Sequence, residues 1–215
     1  MKRVRGPLGL LLVFLTGSLA AQDAAPRSRN VGIVALVSDA AVHKELKLVD
    51  SQASALRMAA AEAKQGLQSV QRVEPIQERR KQRSKINRAL RSVIATTLNK
   101  AQRRRLLEIE IQWTSGAWIV ARPVVAALLE LTPEQRRSIR ELAVQSRDRN
   151  EALRAARTQA NRRQTQKKTV AVLVAARQAA VKLLTDEQQE KWKQAQGEPF
   201  ALPRKPTAKK KSVTE

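Results

Sequence analysis

The chain has 215 residues, 42 of them Lys or Arg against 19 Asp or Glu, with a formal net charge of +23, one His, no Cys and no Tyr. That length suits one domain or two small ones, and the basic balance points to acidic partners or to charge steering. Only 2% of residues are aromatic, and the 42% apolar fraction leans on Ala, Val, Leu and Ile, so the chain can fill the narrow seam between helices but not a wide β-sandwich or doubly wound sheet. The lack of Cys excludes disulfides, thiol catalysis and thiolate metal sites, and a single His leaves no histidine cluster for zinc or copper.

At the N-terminus Lys2, Arg3 and Arg5 precede an apolar run from Leu8 to Leu15. Ser18-Leu19-Ala20 then supplies the small residues that a signal peptidase reads, so cleavage is expected before Ala21. The apolar run is well short of the ~20 residues that a bilayer span requires. Residues 1–20 therefore read as a signal peptide, and the protein as exported to the periplasm or the extracellular space. Residues 21–38 read as a flexible leader. No later segment is apolar enough to span, so no transmembrane segment is expected in the mature chain.

Along the remainder a short pattern recurs four times: Leu, Gln four residues on, and a large apolar residue eight on. The sets are Leu48/Gln52/Leu56, Leu98/Gln102/Leu106, Leu131/Gln135/Ile139 and Leu184/Gln188/Trp192. The two sharpest copies, Leu131-Thr132-Pro133-Glu134-Gln135 and Leu184-Thr185-Asp186-Glu187-Gln188, have the form of helix starts. Thr132 and Thr185 serve as N-caps, and Gln135 and Gln188, three residues later, reach back to complete a capping box. Pro133 suits the first helical position, where its missing N–H costs nothing. Asn99 can cap the second copy, and in the first copy Asp50 is expected to cap in place of Val49.

Leu48 and Leu131 lie 83 residues apart, and Leu98 and Leu184 lie 86 apart, which indicates a tandem duplication of a unit of about 85 residues. The first helical unit is placed at residues 39–115 and the second at 116–198, joined through Trp113-Thr114-Ser115-Gly116-Ala117-Trp118. Between the motifs the apolar residues keep helical spacing, as in Leu56, Ala60, Ala63, Leu67 and Val70, with a break at Glu74-Pro75 and a second stripe through Ile86, Leu90 and Val93. In the second unit Val170, Leu173, Val174, Val181 and Leu184 line a stripe, whereas Ser146 and Arg149 interrupt the face of the helix after Gln135. Residues 199–215 read as a disordered basic tail. The fold expected is all-α, with long antiparallel helical hairpins in two tandem units.

The Leu-Thr-x-x-Gln helix starts behind a signal peptide resemble the Spy/CpxP-related periplasmic proteins. Leu131 to Gln135 and Leu184 to Gln188 match that motif in full, while Leu98 to Gln102 and Leu48 to Gln52 keep its Leu and Gln. The resemblance covers roughly residues 40–198. It implies an all-helical, cradle-forming protein related to ATP-independent chaperones and to envelope-stress or metal-stress sensors. Family members carry two motifs and form homodimers, so four motifs imply either a homodimer or a single chain that imitates one.

Eleven basic residues and no acidic one lie between Arg79 and Arg105. Arg79, Arg80, Arg83 and Arg88, with Arg103, Arg104 and Arg105, are the expected contacts for an unfolded or acidic client chain, captured by charge and held by weak apolar contacts. The alternative partner is a polyanion: nucleic acid, acidic polysaccharide or an anionic membrane surface. The few scattered aromatics do not make a base-stacking platform. His43 has only Lys44 and Glu45 beside it, which is no transition-metal ligand set. Neither a catalytic residue nor a metal or cofactor site is assigned, and the protein reads as a non-enzyme.

Overall fold

A computed structural model describes residues 31–203, and within them the fold is all-α. The helices are α1 (Ile33–Val37), α2 (Ala40–Glu45), α3 (Asp50–Ser69), α4 (Ile76–Thr97), α5 (Lys100–Trp113), α6 (Pro123–Leu128), α7 (Pro133–Ala155), α8 (Arg162–Lys182) and α9 (Asp186–Ala195). Two short 3-10 turns, Val70–Arg72 and Ala117–Ile119, complete the order. The expected signal peptide, most of the leader and the basic residues from 204 onward lie outside the described residues.

The same sequence of elements occurs twice. α2 and α6 begin at Ala40 and Pro123, and α3 and α7 at Asp50 and Pro133, each pair 83 residues apart. α4 and α8 begin at Ile76 and Arg162, and α5 and α9 at Lys100 and Asp186, each pair 86 apart. Even an unusual backbone feature recurs: Lys47 (φ 50°) and Glu130 (φ 52°) both adopt the left-handed conformation. These residues end α2 and α6 in the same way, with the Leu48 N–H donated to the His43 carbonyl and that of Leu131 to the Ala126 carbonyl. This is the Schellman closure, in which the left-handed residue turns the chain so that orphan carbonyls are satisfied.

All four Leu/Gln motifs sit where one helix ends and the next begins. The apolar residues eight positions on, Leu56, Leu106, Ile139 and Trp192, are all buried. Leu98, Leu131 and Leu184 are buried as well, and Leu48 packs against the first core. Asn99, Thr132 and Thr185 form capping boxes with Gln102, Gln135 and Gln188. Asp50, expected as a cap, is instead the first residue of α3, preceded by Val49. A valine side chain has no acceptor, so only the glutamine half of the box forms there, with the Val49 N–H donated to Gln52 Oε1 at 3.3 Å.

The glutamines do more than cap. In the second half Gln135 Nε2 donates to Gln188 Oε1 at 2.7 Å, and Gln188 Nε2 donates back to Gln135 Oε1 at 3.0 Å. In the first half Gln52 and Gln102 make the same reciprocal pair at 3.1 and 3.2 Å. The remaining donors reach main-chain carbonyls: Gln52 to Thr97 and Gln135 to Leu183, both at 2.9 Å, Gln102 to Leu46 and Gln188 to Glu130. Each amide thus joins the starts of two helices to the end of a third. Because the start of α3 meets the end of α4, and the start of α7 meets the end of α8, both long hairpins are antiparallel.

One apolar cluster draws on α1 to α5, including Leu36, Leu56, Ala60, Leu90, Ile94 and Ile109. A second centres on Ile111, Ile119, Val125, Leu129, Ile139, Ala180 and Trp192. α5 feeds both, because Leu106, Ile109 and Trp113 face the first cluster and Leu107 and Ile111 the second, while Arg105, Glu108 and Gln112 form a polar face. The Trp113–Trp118 connection is therefore buried rather than a linker: Trp113 joins the first core and Ala117 the second, while Trp118 stays at the surface. On α7 the interrupted face is polar but still inward, with Ser146 and Asn150 buried and Arg149 turned out.

Two boundaries differ from the sequence expectation. The leader placed at 21–38 contains α1, whose Leu36 and Val37 are fully buried; a run of small and medium apolar residues is enough to dock one helical turn. The tail placed at 199–215 does not begin at 199, because residues 196–202 return along α5 as an irregular strap. Gln112 Nε2 donates to the carbonyls of Gln196 and Glu198, Trp113 Nε1 to that of Phe200 at 3.0 Å, and the Phe200 ring is buried in the first core. Composition alone hid this, since one Phe among prolines and lysines carries the anchoring.

If the paired amides set the hairpin geometry, Gln135→Leu and Gln188→Leu should each cost about 1–3 kcal/mol, because each strands the other's donor and acceptor. The double variant should cost clearly less than the sum of the two. Urea unfolding of the four proteins measures this, and additive losses would show that the pair is not a unit.

Candidate functional site

Among the described residues a groove of about 740 Å³ opens where the two halves meet. One wall comes from α4 and α5, through Ile94, Ala95, Leu106 and Leu107, and the other from Val124 and Leu128 of α6 and Ala195 of α9. Its lining is mostly apolar. Val124 and Leu128 are each 48% exposed, an unusual position for neighbouring large aliphatic side chains on a short helix. Five basic side chains, Arg91, Arg103, Arg104, Arg122 and Lys191, surround this surface against two acids, Glu108 and Glu110.

The base of the groove is set by charge pairing. Glu110 is only 2% exposed and accepts from Arg91 of α4 at 2.7 Å and from Arg122, the residue before α6. One carboxylate between two guanidiniums thus ties the two halves together and leaves a net positive floor. Burial holds Arg122 below the ordinary arginine value, opposed by attraction to Glu110 and reinforced by the neighbouring Arg91. Arg177 of α8 forms a second tie: it donates to the carbonyls of Ile111 and Thr114 at 2.8 and 2.7 Å, at the end of α5, and lies 5.2 Å from the centre of the Trp192 ring. Burial pushes Arg177 down to about 10, still far enough above neutrality for the guanidinium to remain charged. A cation suits that place, since helix C-terminal carbonyls carry partial negative charge.

The expected client-binding arginines divide sharply. Arg79 pairs with Glu74 at 2.9 Å and turns toward the carbonyls of its own hairpin turn. Arg80 reaches across to Asp148 (2.8 Å) and Glu151 of α7, and its hydrogen bond to Glu151 raises it above its ordinary value. Arg83 is lowered by burial and by its proximity to Arg154. Arg105 holds Glu45 at 2.7 Å and Glu108 at 2.9 Å; burial pulls it down, but these hydrogen bonds raise it on balance. Arg103 donates to the Ala95 and Leu98 carbonyls while lining the groove. Arg88 is exposed, and Arg104, with 82% of its side chain in solvent, stands at the groove edge with one contact to Glu108.

Arg79, Arg80 and Arg105 are therefore engaged in ion pairs within the fold, a correction to the sequence reading, while Arg83 is half-buried near Arg154. A run of like charges looks free when the chain is read locally. Here the balancing acids come from other elements, Glu151 lying 71 residues from Arg80 and Glu45 lying 60 from Arg105. Conversely Arg91, Glu110, Arg122, Val124, Leu128 and Lys191 were not singled out. One signal was present: the first-half counterparts of Leu128 and Lys191 are Glu45 and Arg105, an ion pair, so an aligned reading shows an apolar substitution beneath a retained cation.

His43 is buried, with Nε2 at 2.7 Å from the Val37 carbonyl. Among the described residues no group of three or more His, Cys, Asp or Glu could hold a metal ion, and no helix is long and apolar enough to cross a membrane. No protein-family model, curated protein or solved structure matches the chain.

Glu110→Gln should lower stability by about 3 kcal/mol, because two partly buried guanidiniums lose their shared counter-charge. Thermal unfolding and the exposure of Trp fluorescence report it. An unchanged midpoint would mean that the halves do not depend on this carboxylate.

Proposed function

We propose that this is an exported, non-enzymatic, chaperone-like protein that holds unfolded or acidic client chains without ATP. The observation that carries this reading is the groove between the halves, with its apolar walls, half-exposed Val124 and Leu128 and excess of cations. Charge speeds capture of an acidic chain, and shallow apolar contact keeps holding reversible. The reading moves the contact surface from the arginine run to the groove, with Arg104 as the steering cation and Arg88 as an outlying one, while Lys191 at the groove edge pairs with Glu130 at 2.8 Å and Glu187 at 3.2 Å. The motif resemblance to Spy/CpxP-related proteins agrees with this class. A tandem duplication would account for the paired element order, with one chain standing in for a dimer. A non-enzymatic role is supported by the duties of the acids: Asp186, Glu187 and Glu134 lie in first helical turns, and Glu110, Glu151 and Glu108 hold arginines.

A polyanion-binding reading is favoured by a different surface. Arg136, Arg137 and Arg140 line a shallow hollow of about 640 Å³ on the outer side of α7, all of them exposed. Such a face binds phosphates or sulfates with a steep loss of affinity in salt.

Light scattering of an unfolding client, with the chain from Ala21 onward, separates the two. Client holding through the groove predicts suppression near stoichiometric ratios that persists at physiological salt and needs no nucleotide. Suppression confined to low salt, or none, would reject the groove as a client site and favour the polyanion role.

A further inference from the structure

The strap and the groove occupy corresponding places in the two halves. On α5 the strap runs past Arg105, which donates to the Glu198 carbonyl at 2.9 Å, and past Glu108, which lies against Gly197. It then buries Phe200, with Leu202 behind it, in the cluster that contains Ile109 and Ala41. Advanced by the offsets of the helix starts, Arg105, Glu108 and Ile109 become Lys191, Gln194 and Ala195 of α9, and Ala41 and Glu45 become Val124 and Leu128 of α6. All five of these second-half residues line the groove. Among the described residues, what the first half covers with a segment of its own chain is left open in the second half.

We infer that the groove is a receptor for an extended, apolar polypeptide segment of another chain, bound as residues 198–202 are bound in the first half. This deepens the proposed client-holding role and rests on it. The strap supplies the pattern of the occupant: apolar side chains two residues apart, as in Phe200 and Leu202, on a non-helical backbone that Pro199 and Pro203 bias toward the extended region and whose carbonyls accept from the flanking side chains. Lys191, paired with Glu130 and Glu187, stands where Arg105, itself paired with Glu45 and Glu108, grips the Glu198 carbonyl, and Gln194 adds an amide that can donate and accept. Leu128 in place of Glu45 makes the open site more apolar than its covered counterpart. The surrounding cations favour a segment that carries an acid beside its apolar pair, as Glu198 accompanies Phe200.

The test uses a fluorescent peptide with the strap sequence Gln-Gly-Glu-Pro-Phe-Ala-Leu-Pro, and a second peptide with Ser in place of its Phe and Leu. Anisotropy titration of the chain from Ala21 should show saturable binding of the first and not of the second. Val124→Ser with Leu128→Ser should weaken binding roughly tenfold, since two half-exposed aliphatic contacts are lost. Met58→Ser, at an exposed apolar residue far from the groove lining, should leave it unchanged and serves as the folding and surface control. Binding that survives the Val124/Leu128 double variant, or that appears only when Phe200→Ala loosens the chain's own strap, would overturn the inference. So would failure of the strap peptide to bind. If client aggregation is still suppressed by the groove double variant, the holding role stands and the groove assignment alone falls.

Discussion

Four glutamine side chains hold this fold in register. A primary amide offers one oxygen with two acceptor positions and two N–H donors, and all of these are used in each motif. Gln135 accepts from the Thr132 N–H and from Gln188, and donates to Gln188 and to the Leu183 carbonyl. Capping alone would need only one of these bonds. The rest tie the start of α7 to the start of α9 and the end of α8, and the Gln52–Gln102 pair does the same for α3, α5 and α4. Leaving any of these groups unpaired in a half-buried site is expensive, so the three helix ends move together or not at all.

Once those ends are fixed, the position of α5 follows. It leaves the first amide pair and crosses between the two apolar clusters, burying most of its surface from Leu106 to Trp113. That is why Glu110 can sit at 2% exposure: its position between Arg91 and Arg122 supplies the counter-charges that an isolated buried carboxylate would lack. The groove is the space left beside α5 where, among the described residues, the second half has no strap to lay over α6 and α9. Its basic surround is a remainder of the same arrangement, since the arginines nearer the hairpin tips are consumed in holding Glu74, Asp148 and Glu151.

Much of the helical frame was legible from the sequence because capping and turn chemistry are local. Thr132 and Gln135 are three residues apart, and the position of a helix start is settled within that distance. The turn between α3 and α4 was marked by Pro75, whereas the turn between α7 and α8 has neither Gly nor Pro. There Thr158 and Asn161 close the chain by reciprocal side-chain to main-chain bonds, a signal diluted among other polar residues. The Gln–Gln pairs were not legible, because the capping role already explained each glutamine and the partner lies about fifty residues away. The groove was hidden for the same reason. Leu128 reads as one more apolar residue of a helix, and its exposure becomes meaningful only beside Lys191 and against Glu45 in the other half. The free or occupied state of an arginine likewise depends on acids that the linear chain places far off.

The central claim is that clients are held between the halves, against Val124 and Leu128, and not along the basic run of α4. A photo-reactive residue introduced at position 128, and separately at position 88 and position 58, tests this most directly with an unfolding client in solution at physiological salt. Adducts concentrated at 128, sparse at 88 and absent at 58 are the expected result. Adducts at 88 equal to or above those at 128 would contradict the claim and return the contact surface to the arginine run.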